Sequence, residues 1–121
     1  LPAAATVVPK QMLKFDIYFS MNSYFLDAAP RADIRSKIKT VLSKLSTKSQ
    51  VTVSIVGWVQ PTKVSPNVLG LSKGRATAVK NYMMQLGFKA KYLIAAPGHD
   101  KLNVAQSRRA SVVITWTNPK G

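Results

Sequence analysis

The chain of 121 residues contains no cysteine and no glutamate, and its acidic side chains are four aspartates. Without cysteine it has no disulfides, thiolate metal ligands or cysteine nucleophiles. The absence of cysteine is compatible with either a reducing or an oxidising compartment. It has no run of about 18 apolar residues, so it encodes no membrane-spanning helix. The opening residues also lack the charged region and apolar run of an intact signal peptide. We interpret residues 1–13, which have no periodicity, as a linker or tether remnant.

Basic side chains dominate the charge of the chain. Eighteen lysines and arginines stand against the four aspartates, which gives a net charge of +14. A field of this sign attracts nucleic acid, anionic lipid headgroups or acidic wall polymers without specifying which of them binds. Specific nucleic-acid recognition is not favoured, because neither an aromatic-rich RNA-binding signature nor a helix-turn-helix pattern accompanies the charge.

The sequence offers little for catalysis or metal binding. Its single histidine and one aspartate form the pair His99-Asp100, which we interpret as part of a loop turn rather than as a catalytic dyad. No spacing of histidine and aspartate supplies three ligands to zinc or calcium. The glycines do not form a phosphate loop, because no Gly-Lys-Ser or Gly-Lys-Thr follows them. We therefore predict no enzyme activity, no metal site and no cofactor.

Hydrophobic periodicity predicts both strands and helices. Phe15, Ile17 and Phe19 alternate with polar residues, as in a half-buried strand. Ser72 is placed as the N-cap of a second helix that ends before Gly87, where a left-handed residue is common. The order of elements predicts an α/β (α+β) sandwich in which a mixed sheet of about four strands carries two helices on one face. The predicted elements are a strand from Phe15, a helix over 32–46, a strand over 51–57, a helix from Leu71 or Ser72 to Leu86, and strands over 92–95 and 110–116.

Four segments carry a resemblance to a known family. They are Val56-Gly57-Trp58-Val59-Gln60, Leu71-Ser72-Lys73-Gly74-Arg75-Ala76, Pro97-Gly98-His99-Asp100 and Ser107-Arg108-Arg109-Ala110-Ser111-Val112. Their order and spacing resemble the OmpA-like family of peptidoglycan-binding domains, over about residues 14–117. The resemblance implies one non-enzymatic OmpA-like domain over residues 14–121.

The resemblance also implies a binding site. In the family, an aspartate after the strand and an arginine at the start of the helix bind the ammonium and the carboxylate of diaminopimelate in the peptidoglycan stem peptide. Arg75 matches that arginine, and we expect its guanidinium to be exposed in the first turn of the helix, beside Gln60. Gln60 takes the position of the aspartate and supplies no charge. The other residues that the resemblance places at the site are Trp58, Asn67, Leu71, Ser72, Arg108 and Arg109.

Three of these assignments keep alternatives. Arg75 is either the carboxylate anchor or a surface arginine that pairs with the chain terminus or a loop carbonyl. Trp58 either stacks on a sugar or stem peptide or caps the edge of the sheet. Arg108 and Arg109 are successive strand residues that face opposite sides, so at most one of them points toward the site.

The resemblance implies an extracytoplasmic domain, in the periplasm or cell wall, that binds peptidoglycan non-covalently. Any membrane tether would lie in a region outside this chain. In the alternative, the diaminopimelate pocket has decayed, and the basic surface binds another anionic cell-wall polymer or an envelope protein partner. Strong salt dependence without a stem-peptide preference would favour that alternative.

Overall fold

Four alternating segments form strands and two amphipathic segments form helices. The computed structural model describes residues 10–60, 68–99 and 107–117. Within this part of the chain, no helix is long and apolar enough to cross a membrane. The elements are β1 (Lys10–Tyr18), α1 (Ala28–Leu42), β2 (Val51–Val59), α2 (Val68–Gln85), β3 (Lys91–His99) and β4 (Arg109–Thr117).

The four strands form one mixed sheet in the order β1-β4-β2-β3. β4 pairs antiparallel with β1 and with β2, whereas β2 and β3 are parallel and α2 connects them. As a result, β1, β2 and β3 end, and β4 begins, on the same side of the sheet, which we call the strand-end edge. The predicted α+β class with a mixed four-stranded sheet is confirmed.

One face of the sheet packs against both helices. Ile34, Ile38 and Val41 of α1 are buried, because their spacing places them on one side of the helix. The sheet contributes alternate residues of its strands, so its other face is not part of this core. The core consists of Ile17, Phe19, Leu26, Ile34, Ile38, Val41, Val53, Ile55, Ala76, Val79, Met83, Phe88, Ala110, Val112, Ile114 and Trp116.

α2 lies unusually close to β2. A Cβ atom added at Gly57 would lie 1.8 Å from the carbonyl oxygen of Ser72, so only glycine allows this approach. The Ser72 hydroxyl donates a hydrogen bond to the Gly57 carbonyl at 2.6 Å and accepts one from the Gly98 amide at 3.2 Å. The prediction that Ser72 caps α2 is therefore wrong: the helix begins at Val68, and the buried hydroxyl fastens it to two strands.

The C-terminus of α2 follows the sequence prediction. Gly87 has a φ of 80°, in the left-handed region that favours glycine. Its amide donates to the Met84 carbonyl at 2.9 Å, and the amide of Phe88 donates to the Met83 carbonyl at 3.1 Å. These two bonds form a Schellman motif, which satisfies carbonyls at the end of the helix.

Several predicted boundaries are wrong. β1 begins at Lys10, so residues 10–13 of the predicted linker belong to the sheet, while residues 1–9 lie outside the described part. α1 spans 28–42 rather than 32–46, because Pro30 is tolerated in a first helical turn. β3 extends beyond 92–95 to His99, and Pro97 is accommodated because β3 is an edge strand. Part of the predicted loop turn is therefore strand.

Candidate functional site

Arg75 lies in the interior at the strand-end edge. Its side chain is 1% exposed and its guanidinium packs over the Phe19 ring, 5.5 Å from the ring centroid. Nε donates to the carbonyl of Ser23 at 2.8 Å, and one Nη donates to the carbonyl of Trp58 at 2.8 Å. The other Nη donates to the carbonyl of Ser20 at 3.1 Å. Arg75 thus ties the segment after β1 to the end of β2.

The expected exposure of Arg75 in a first turn is wrong. α2 begins at Val68, which places Arg75 about two turns into the helix. Arg75 shares the buried face of α2 with Leu71 and Val79, four residues before and after it. The guanidinium therefore points between α2 and the strand ends, where it binds backbone carbonyls and is shielded from solvent.

The charge of Arg75 is held in an unfavourable environment. Burial, and secondarily the positive charge of Arg108, lower the pKa of Arg75 to about 10. The side chain is still protonated at neutral pH. Its three hydrogen-bond partners are neutral carbonyls, and no carboxylate among the described residues forms an ion pair with it.

Arg108 and Gln60 meet at the same edge. The Nε atom of Arg108 donates to the Gln60 Oε1 atom at 2.7 Å, and both side chains are partly exposed. The backbone of this region is fixed as well, because the amide of Phe19 donates to the Arg108 carbonyl at 2.7 Å. The two Nη groups of Arg108 make no hydrogen bond to residues 10–60, 68–99 or 107–117.

Trp58 and Arg109 form a stacked pair next to this edge. The Arg109 guanidinium lies over the Trp58 ring, 5.4 Å from the centroid. Its Nε atom donates to the Ser111 hydroxyl at 3.2 Å and lies 4.0 Å from a carboxylate oxygen of Asp16. Arg109 and Arg108 thus have different partners, as the alternation of strand residues leads one to expect.

The structure brings together only some of the residues that the resemblance assigned to the site. Gln60, Arg108 and Trp58 lie around buried Arg75, with Arg109 stacked on the tryptophan. Leu71 and Ser72, however, are 9% and 0% exposed, so their side chains are directed mainly into the interior rather than toward a ligand at the surface. Their place on the inner face of α2 is the physical reason. Asn67 and Asp100 lie outside the described residues.

Sequence reasoning missed the segment that covers Arg75. Ser20 and Ser23 act through their backbone carbonyls, which leave no trace in the sequence. In the same segment, Tyr24 and Phe25 are 58% and 66% exposed. The Tyr24 ring packs on α2 so closely that a Cβ atom at Gly74 would lie 2.6 Å from it. The sequence indicated this covering segment only through two aromatic residues, Tyr24 and Phe25, between the predicted first strand and first helix.

Shallow clefts adjoin Tyr24 on the outer surface. One of about 450 Å³ runs beside Phe25 and Ala78, and another of about 380 Å³ lies over Gly70 and Lys73. Volumes of this size fall in the lower part of the range of small-molecule pockets. Their linings are mainly apolar, so the polar cluster of Arg108 and Gln60 is chemically separate from them.

Comparison with known proteins agrees with this architecture. The sequence profile of the OmpA family matches residues 18–114. No curated protein sequence matches the chain significantly. The OmpA-like domain of FopA1 from Francisella tularensis subsp. tularensis SCHU S4 is 22% identical, over 88% of this chain and 73% of that one, with a TM-score of 0.64.

Two further solved structures have the same fold. The peptidoglycan-associated lipoprotein from Burkholderia pseudomallei is 26% identical, over 82% of this chain and 88% of that one, with a TM-score of 0.55. The periplasmic domain of Helicobacter pylori MotB (residues 97–256) is 16% identical, over 85% of this chain and 80% of that one, with a TM-score of 0.59. Because the profile covers most of the chain and the fold agrees, this chain belongs to the OmpA family.

Proposed function

We propose that this chain is a cell-envelope domain that binds peptidoglycan non-covalently outside the cytoplasmic membrane. Its membership of the OmpA family supports the proposal, and domains of this kind bind ligands rather than catalyse reactions, so the chain is not an enzyme. The names of two similar proteins point the same way, since one is a peptidoglycan-associated lipoprotein and the other a periplasmic domain.

We place the peptidoglycan contact at the cluster of Arg108, Gln60 and Trp58. Arg108 is partly exposed and is held in one orientation by Gln60, with both Nη groups left for a ligand by the described residues. A guanidinium fixed in this way can bind a carboxylate through two parallel hydrogen bonds. Arg75 has a different role, because all three of its nitrogens are used to hold the backbone beneath the cluster.

Pull-down with purified sacculi at low and high salt tests the proposal. Arg108→Gln removes the exposed guanidinium, and we expect retention to fall by about tenfold to a hundredfold, as for loss of a hydrogen bond to a charged group. Lys89→Gln is the matched control, because it removes one exposed positive charge beyond the other end of α2. Parent protein retained at high salt, with Arg108→Gln released, supports a specific site.

A second function follows from a different observation. By the resemblance, Gln60 takes the position of the family's aspartate; its side-chain oxygen accepts a hydrogen bond from Arg108, and the chain carries a net charge of +14. An interaction module whose basic surface binds another anionic envelope polymer, or an acidic partner protein, fits these facts. Complete release of the parent at high salt, together with equal losses for Arg108→Gln and Lys89→Gln, would favour this function over a specific site.

A further inference from the structure

The strand-end edge holds two arginines, Arg75 and Arg108, with which no carboxylate of the described residues forms an ion pair. Arg75 and Arg108 lie close enough for the charge of Arg108 to disfavour protonation of Arg75. Three of the four aspartates lie in the described part of the chain, and none forms an ion pair with either arginine. Asp16 approaches Arg109, Asp33 pairs with Lys37, and Asp27 immediately precedes α1.

Neutral hydrogen-bond partners do not cancel these charges. The three carbonyls that accept from Arg75, and the amide oxygen that accepts from Arg108, orient the guanidinium groups but bring no counter-charge. In a partly desolvated edge, Coulomb interactions are less screened than in water. An anion placed at Arg108 is therefore attracted by both arginines, whereas an ammonium group at the same place is repelled by both.

The geometry of Arg108 favours a planar anion. Gln60 occupies its Nε atom, which leaves the edge formed by the two Nη groups. That edge matches the two oxygens of a carboxylate. A ligand amine next to the carboxylate would bring a positive charge to the same pair of arginines. A protein carboxylate could offset that charge, but none among the described residues forms an ion pair with Arg75 or Arg108.

From this charge balance we propose that the strand-end edge selects a free carboxylate that carries no neighbouring ammonium. The ligand group is a stem-peptide carboxylate whose adjacent amine is acylated or absent, bound by Arg108 with Arg75 as the buried second charge. The inference rests on the proposed function for the identity of the polymer. It differs from recognition of a zwitterion, which requires a carboxylate on the protein as well as an arginine.

Titration with small probes tests the selectivity independently of the polymer. At fixed ionic strength, N-acetyl-alanine presents a carboxylate without an ammonium, alanine presents both, and N-acetyl-alanine amide presents neither. We expect N-acetyl-alanine to shift the NMR signal of the Arg108 Nε–H group, with an affinity about tenfold above that of alanine. The amide should leave the signal unchanged. Alanine that binds as well as N-acetyl-alanine would overturn the inference.

Two variants sharpen the test. Gln60→Asp places a carboxylate beside Arg108, so the preference for N-acetyl-alanine over alanine should shrink or reverse; an unchanged preference would contradict the electrostatic origin. Asp100→Asn removes the aspartate outside the described residues and should leave the preference as it is. A changed preference in that variant would mean that Asp100 supplies a carboxylate to the site, which would also overturn the inference.

Muropeptide titration then separates the two proposals. Fragments with an acylated amine and a free carboxylate should bind more tightly than fragments with both groups free. Binding of N-acetyl-alanine but of no muropeptide would refute the proposed function and leave the selectivity in place. The reverse result, tight binding of muropeptides that favours the free ammonium, would support the function and refute the selectivity. Inorganic phosphate as potent as N-acetyl-alanine would refute the choice of a carboxylate.

Discussion

Replacing Arg75 with methionine asks whether this arginine holds the fold together. Methionine is long and apolar, so it fills much of the buried space while removing the charge and all three hydrogen bonds. The carbonyls of Ser20, Ser23 and Trp58 would then lose their donor. We expect the free energy of unfolding to fall, because buried acceptors without partners are costly.

The expected magnitude is the difference between two effects. A buried carbonyl that loses its partner costs about 2 kcal/mol, or about 6 kcal/mol for the three. Removing the charge relieves a penalty, because the fall in the pKa of Arg75 from 12.5 to about 10 corresponds to about 3 kcal/mol. The net loss is about 3 kcal/mol, a large share of the roughly 5–15 kcal/mol that stabilises a domain.

Urea unfolding followed by circular dichroism measures this loss. A decrease of about 3 kcal/mol moves the midpoint down by about 1–3 M urea at an unchanged slope. Arg31→Met is the control, since Arg31 is exposed on α1 and an exposed substitution changes stability by about 0.5 kcal/mol or less. If Arg75→Met and Arg31→Met unfold at the same urea concentration, the three hydrogen bonds do not stabilise the fold and the reasoning fails.

Two further predictions concern the packing of α2 and the pH dependence of stability. Gly57→Ala should lower the free energy of unfolding by about 3 kcal/mol or more, because its Cβ would collide with the Ser72 carbonyl. Gly74→Ala is the control, because the exposed Tyr24 ring can move away from the new Cβ atom. A similar loss for both variants in urea unfolding would contradict the steric argument. Burial raises the pKa of the Tyr92 phenol above 10.0, so the stability linked to it is complete below that pH and is lost as the pH rises through the folded-state pKa. Tyr92→Phe should make the free energy of unfolding decline less steeply between about pH 9 and 11, and an equal decline in both proteins would refute this linkage.

The sequence predicted the elements that bury one face and missed those that do not. β2 and β4 were found because their apolar residues alternate with half-exposed ones along most of each strand. The first half of β1 was missed because Lys10, Gln11 and Met12 are all exposed at the edge of the sheet. Backbone pairing with β4, which no side-chain pattern encodes, makes these residues a strand.

The position of Arg75 could have been read more closely from the sequence. It lies four residues after Leu71 and four before Val79, which is the spacing of one helix face. The resemblance to a ligand-binding arginine outweighed that signal. What the sequence could not give is the identity of its partners, since the carbonyls of Ser20 and Ser23 come from a segment without periodicity. Buried arginines that bind the backbone have no sequence signature of their own.

Arg75 holds the backbone in place and also adds a positive charge to the proposed site, so its variants do not report on ligand binding alone. Because Arg75 orders both the segment after β1 and the end of β2, its removal disturbs the backbone that carries Trp58 and lies beside Gln60. A disturbed backbone and the loss of a positive charge at the site would each weaken ligand binding. Weaker binding in an Arg75 variant therefore does not show which of the two effects is responsible. Arg108 donates through its side chain only to Gln60 within the described residues, so its replacement leaves the three carbonyl bonds of Arg75 in place. Binding lost in Arg108→Gln at unchanged stability is consequently the result that separates recognition from architecture in this domain.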